Sequence, residues 1–99
     1  MAVVEISVTP LGTGTPGVSQ YVAKCLQLVK ESGINHQLTP MGTILEGDIG
    51  DIFDLVERMH EVPFSAGAQR VSTLIKIDDR RDRSDHTMAG KVASVSKHL

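Results

Sequence analysis

Residues 2–9 alternate. Ala2, Val4, Ile6 and Val8 fall on one side, and Val3, Glu5, Ser7 and Thr9 on the other, the period of two that marks a half-buried strand. Pro10 has no N–H to give to a ladder, so the strand is expected to end there, and Leu11 to Gly17 reads as a loop rich in Gly, Thr and Pro. The period then changes. Val18, Val22, Cys25 and Val29, with Leu26 beside them, recur at helical spacing and predict a helix from about Val18 to Ser32, with Gly33 at its C-terminal cap. His36 to Met41 and Thr43 to Glu46 read as two short strands of a hairpin that turns or bulges at Gly42–Thr43. Asp48 is a natural N-cap for a second helix, from about Ile49 to Glu61, and Asp51 suits the positive end of its dipole. Ile49, Ile52, Val56 and Met59 form its apolar stripe, and Pro63 is expected to stop it. Strand alternation returns at Val71, Thr73, Ile75 and Ile77. Thr87 caps a last helix whose Met88, Val92, Val95 and Leu99 share one stripe.

The order β-α-β-β-α-β plus a terminal helix predicts a single α+β domain, residues 1–99, of the ferredoxin-like kind. Its antiparallel sheet carries both main helices on one face. The other face is left open, with Glu5, Ser7, Lys76 and Asp78 mixed with Val3 and Leu74. Such a half-apolar face suits a subunit contact or a ligand wall. The terminal stripe needs a cover, either the sheet edge or a neighbouring subunit.

Composition narrows the function more by exclusion than by assertion. The 99-residue chain carries a formal charge of −2, with no Trp, one Tyr and two Phe. It therefore lacks the basic footprint and the stacking aromatics of a nucleic-acid binder. Its one cysteine, Cys25, permits no intrachain disulfide and no paired thiolate metal site, and a small buried hydrophobe is its expected role. No basic residue precedes the first apolar stretch and no apolar run approaches spanning length, so a signal peptide and a membrane span are not expected. The expected compartment is the cytoplasm.

Gly12 to Gly17 matches G-x-G-x-x-G literally, between a strand and a helix. A dinucleotide site is not expected there. The chain is too short for the doubly wound fold, no acidic residue closes the second strand, and Pro16 removes an N–H where a phosphate needs one. The loop reads as a tight turn whose N–H groups and Thr hydroxyls also suit an anion or polar ligand. It lacks the Lys-Ser/Thr pair of a P-loop. His36, His60, His86 and His98 are scattered with no i, i+4 pair, and no Ser, His and Asp assemble from the sequence. Neither a metal, a cofactor nor catalysis is expected, with Asp78, Asp79 and Arg80 the one dense polar group. Capping explains Asp48 and Asp51, but Glu46 lies before the cap.

Four segments together carry a resemblance: Glu5-Ile6-Ser7-Val8 running into Pro10-Leu11-Gly12-Thr13-Gly14; Val18-Ser19-Gln20-Tyr21-Val22-Ala23; Leu38-Thr39-Pro40-Met41-Gly42-Thr43 continuing to Leu45-Glu46-Gly47; and Ile75-Lys76-Ile77-Asp78-Asp79-Arg80-Arg81-Asp82. In order and over nearly the whole chain, they resemble the thiamine-binding YkoF-like family, in its short single-domain branch. The resemblance implies a ferredoxin-like fold, assembly through sheet contacts into dimers or tetramers, and non-catalytic binding of thiamine or its hydroxymethylpyrimidine part. It points to Ser19, Tyr21, Thr43, Glu46 and Gly14 as ligand-binding residues. Glu46 suits the exocyclic amine, the Thr43 and Ser19 hydroxyls suit ring nitrogens, and Tyr21 suits a ring face or edge. Beside this reading, as carrier, buffer or sensor, stands a second. It is an oligomeric regulatory domain that binds another small effector or an anion, motivated by the open sheet face, the Gly12–Gly17 loop and the terminal stripe.

Overall fold

The computed structural model describes residues 1–12, 14, 19–83 and 86–99. The elements are β1 (Ala2–Leu11), α1 (Ser19–Ser32), β2 (Asn35–Thr39), β3 (Gly42–Gly47), α2 (Ile49–Ser65), β4 (Arg70–Asp79) and α3 (Met88–Ser96). All strand pairings are antiparallel, in the order β2-β3-β1-β4. That is the ferredoxin-like order, two interleaved split βαβ units.

Register assigns the faces. Val4 lies opposite Leu45 and Ile77, and Ile6 opposite Thr43 and Ile75. This set faces the helices, and Val4, Ile6 and Leu45 bury with Val29, Ile52, Leu55 and Met59 at 2% exposure or less. On the opposite face Val3 meets Glu46 and Asp78, Glu5 meets Ile44 and Lys76, and Ser7 meets Leu74. The expected open face is therefore present, with Leu74 73% exposed on it.

Two prolines do not stop their elements. Pro10 is buried inside β1 and pairs in register with Val71, so the strand runs on to Leu11. The pairing of β1 with β3 ends at Ile6–Thr43. Beyond that point β1 has a neighbour on one side only, and a residue without an N–H can turn its deficit to the unpaired side. Pro63 sits within α2, which continues to Ser65. A proline here removes the N–H that the Met59 carbonyl would accept. The Cys25 thiol takes over, its Sγ 3.5 Å from that oxygen. One residue thus packs the α1–α2 seam and serves the carbonyl that the proline leaves bare.

The β2–β3 hairpin packs closely against β1 at Gly42. A Cβ at Gly42 would stand 2.7 Å from the Ile6 carbonyl oxygen, so only glycine lets the turn press against β1. Thr39 organises this turn. Its hydroxyl accepts from the N–H of Gly42 (3.1 Å) and of Met41 (3.3 Å), and donates to the Gly42 carbonyl (2.9 Å).

The terminal helix is attached differently from the others. Thr87 caps it by accepting from the Gly90 N–H at 2.9 Å. The Glu46 carboxylate accepts from the Met88 N–H at 2.6 Å, and Lys91 donates to Asp78 at 2.6 Å. No residue of α3 is buried, and Val92, Val95 and Leu99 are 64%, 62% and 100% exposed. The stripe read in the sequence is present, but nothing among the described residues covers it.

Candidate functional site

The hairpin pressed onto β1 leaves a recess between itself and α1. This cleft holds about 190 Å³ on the helix-facing side of the sheet. Ile6 and Val8 of β1 form its floor, Val22 of α1 and Met59 of α2 contribute walls, and Leu38 closes the hairpin side. Four hydroxyl residues, Ser7, Thr9, Thr39 and Thr43, stand among these apolar ones; Ser7 and Thr9 lie towards the rim, at less buried positions, and Thr39 is committed to the turn. Thr43 is different. It is only 7% exposed, yet its hydroxyl takes no partner among the described residues and is not sealed from solvent. A hydroxyl in that position is a donor and an acceptor waiting for a guest.

The electrostatics are neutral. Cys25 is the one ionisable side chain on the cleft wall, and burial pushes its thiol above the ordinary value. It stays protonated near neutral pH. A cleft well below the ~300–1,000 Å³ of sites for drug-sized ligands, with apolar and hydroxyl-bearing side chains mixed in its lining and no charged one, suits a single uncharged flat ring.

The residues singled out in the sequence divide between two places. Thr43 lines the cleft, and Val22 and Cys25 bring α1 to it. Tyr21, one position before Val22, faces the other way. It is 7% exposed and lines a second recess of about 190 Å³ with Gly12 and the turn Ala66–Gln69. Ser19 is exposed at the first position of α1, and Gly14 is exposed in the preceding loop with φ +79°. The G-x-G-x-x-G loop lies mostly outside the described residues, at Thr13 and residues 15–17, as does Val18. Glu46 stands apart, on the open face opposite Val3. Its carboxylate accepts from the Asn35 amide and from the Met88 N–H. Glu46 thus ties the hairpin to the N-terminus of α3, where the helix dipole favours a negative charge. That contact accounts for the carboxylate that capping of α2 left over.

Cys25, Met59, Leu38, Thr39 and Gly42 were not singled out as site residues. One signal was available: Thr39-Pro40-Met41-Gly42 encodes the tight turn that shapes the cleft rim. Nothing in the chain order announces that Cys25 and Met59 meet across it.

The open face has its own polar group. Asp78 accepts from Lys91 and lies 3.3 Å from His86 Nε2. The hydrogen bond from Lys91 holds its carboxyl below the usual range, with His86 contributing less. Asp79 is likewise lowered by Arg81, and Asp82 by Arg80. Among the described residues no group of His, Cys, Asp and Glu is arranged to hold a metal, and no helix is long and apolar enough to cross a membrane.

Comparison with known proteins adds the following. A family profile described as thiamine-binding protein matches residues 4–96. The UPF0045 protein YqgV of Bacillus subtilis is 45% identical over 100% of this chain and 98% of its own length. A UPF0045 protein of Staphylococcus xylosus is 48% identical over 100% and 95%. The crystal structure of a hypothetical protein of Methanocaldococcus jannaschii superposes with a TM-score of 0.86 at 32% identity, over 97% of this chain and 96% of that one. A putative thiamine biosynthesis/salvage protein of Thermotoga maritima shares the fold, with a TM-score of 0.79 at 20% identity over 95% and 97%.

Proposed function

The chain belongs to the thiamine-binding protein family, and from that premise we propose that it binds thiamine or a related pyrimidine without transforming it, with the pyrimidine ring seated in the cleft beside Thr43. The observation that carries this reading is Thr43, 7% exposed on the cleft wall, whose hydroxyl is open to solvent and takes no partner among the described residues. An aminopyrimidine presents ring-nitrogen acceptors and an amine donor, and one hydroxyl can serve either. Ser19, at the first position of α1, and Tyr21, in the second recess, lie outside this cleft and are not assigned a ring contact in this reading. Glu46, engaged with α3, acts in this reading through the α3 contact rather than at the ring.

The protein works as a homo-oligomer in this proposal, in the cytoplasm, as a carrier, buffer or sensor. Its surface supports self-association. A compact monomer of 10.7 kDa exposes about 5,500 Å², whereas this chain exposes 6575 Å². Uncovered apolar side chains are part of that surplus. Leu74, Val92 and Val95 contribute apolar area to it.

Titration calorimetry with thiamine, hydroxymethylpyrimidine and the thiamine phosphates tests the ligand. Micromolar binding, about −8 kcal/mol, that falls about tenfold in Thr43→Val supports the proposal, since the variant keeps the shape and removes the hydroxyl. A folded protein that takes up none of these compounds sinks it. The uncovered α3 stripe would then favour the other reading, a regulatory domain whose effector shifts the oligomer equilibrium, visible as a ligand-dependent sedimentation profile.

A further inference from the structure

β4 is an edge of the sheet and pairs with β1 alone among the described residues. It is 10 residues long, against 5 for β2 on the other edge. A bare edge is a template for another strand, and proteins blunt their edges with short strands, prolines, bulges or charges. β4 has no proline, and its register with β1 runs unbroken from Arg70 to Asp79. Between its charged ends Lys76 is the one charged residue. Both faces of this edge carry uncovered apolar side chains. Ile75 and Ile77 belong to the helix-facing set yet are 38% and 43% exposed, and Leu74 on the open face is 73% exposed.

We propose that β4 pairs with β4 of a second copy of this chain, antiparallel and with the two-fold axis at Leu74, so that the two sheets become one. The proposal takes from the thiamine reading only that copies associate, and it does not depend on the ligand. The strand is self-complementary about that point. Opposite residues of an antiparallel pair share a face of the sheet, so the axis has to pass through a residue. With the axis at Leu74, Leu74 meets the partner's Leu74, Thr73 the partner's Ile75, Val71 the partner's Ile77 and Ser72 the partner's Lys76. Apolar pairs directly opposite strengthen a ladder and like charges weaken it. The neighbouring registers are worse on that rule. An axis at Thr73 sets Arg70 against the partner's Lys76, and one at Lys76 sets that lysine against the partner's Lys76. An axis at Ile75 sets Leu74 against the partner's Lys76 and Val71 against the partner's Asp79. Asp78 keeps Lys91 and His86 throughout, and no ion pair is asked of it. A second copy thus covers the half-exposed isoleucines, and a foreign strand has no cause to match this symmetry. Gln69, on the recess that holds Tyr21, then lies beside the end of the partner strand.

Cysteine cross-linking reads the register. Val71→Cys and Ile77→Cys are oxidised mildly, each alone and co-expressed, with the wild type and its buried Cys25 as the blank. Directly opposite positions hold their Cβ atoms about 4.5–5.5 Å apart, close enough for a disulfide with little adjustment. The proposal expects a cross-link between residues 71 and 77 in the co-expressed pair and none beyond the blank in either variant alone. Both positions lie on the helix-facing side, so sheets stacked through their open faces cannot give that product. Sedimentation is the second readout. The wild type should run as a dimer or larger. Ile75→Lys, with native circular dichroism, should associate at least about tenfold more weakly, because it sets a charge inside the joined edge. A chain that stays monomeric at every concentration overturns this proposal and the homo-oligomer of the proposed function together. Three results overturn the β4 edge alone: association without the cross-link, equal cross-linking by a single variant, or a folded Ile75→Lys that associates as wild type. The thiamine titrations stand apart from all of them.

Discussion

Replacing Cys25 by alanine separates packing from hydrogen bonding at the α1–α2 seam. The side chain is 6% exposed and its Sγ lies 3.5 Å from the Met59 carbonyl oxygen. Removing the sulfur takes away buried apolar surface and leaves a small void, about 1 kcal/mol together. It also leaves a carbonyl with no donor, because residue 63 is proline, which adds about 1 kcal/mol more. The expected loss is about 2 kcal/mol, or about 10 °C in Tm for a domain of this size. The second term is isolated by Pro63→Ala, which restores an N–H to the Met59 carbonyl. In that background Cys25→Ala should lose only about 1 kcal/mol, so the cycle carries a coupling of about 1 kcal/mol. Urea titrations of the four proteins read it, at one fixed concentration because self-association shifts apparent stability. Additivity to within about 0.3 kcal/mol would refute the idea that the thiol replaces the proline's missing donor.

Other outcomes follow from the hairpin, the α3 clasp and the charged strand end. Gly42→Ala places a Cβ 2.7 Å from the Ile6 carbonyl, so thermal melts should show a loss of about 2 kcal/mol, with ligand heat at the cleft reduced as well. Glu46→Gln keeps the shape but removes the charge facing the α3 N-terminus. Amide exchange of residues 88–91 should quicken while the sheet amides stay unchanged, and equal exchange in both proteins would show that the carboxylate does not hold the helix. Asp78 is depressed mainly by its hydrogen bond from Lys91. Its stabilising contact is therefore complete above the ordinary carboxylate range and is lost as pH falls through the lowered value. Helical circular dichroism should show α3 loosening in acid before the core melts, and Asp78→Asn should abolish that early step.

Periodicity made most of this fold legible, because alternation and helical stripes report directly on which side chains face a core. The two prolines were harder to read. Proline's missing N–H is harmful only where a partner needs it, and at Pro10 and Pro63 the decisive facts are an unpaired strand side and a thiol from another helix. Neither is local in sequence. The candidate set Ser19, Tyr21, Thr43, Glu46 and Gly14 shows both limits. Thr43 and Glu46 are an odd number of residues apart on one strand, so their opposite faces were implicit in the period of two. Tyr21 and Val22 turn into different recesses because adjacent helical positions diverge by about 100°. The cleft itself needed β1, α1, α2 and the hairpin in three dimensions.

Cys25 has one further consequence. As the sole thiol, set where the helix seam meets the cleft, it is a built-in clock for the molecule's own opening. A protonated, buried sulfur reacts with an alkylating reagent only after the seam parts, so the labelling rate of the unmodified protein counts those openings. A ring seated against Thr43 would shut the same door. Slower labelling on adding a compound would then report its arrival, with no substitution, dye or tag placed anywhere in the chain.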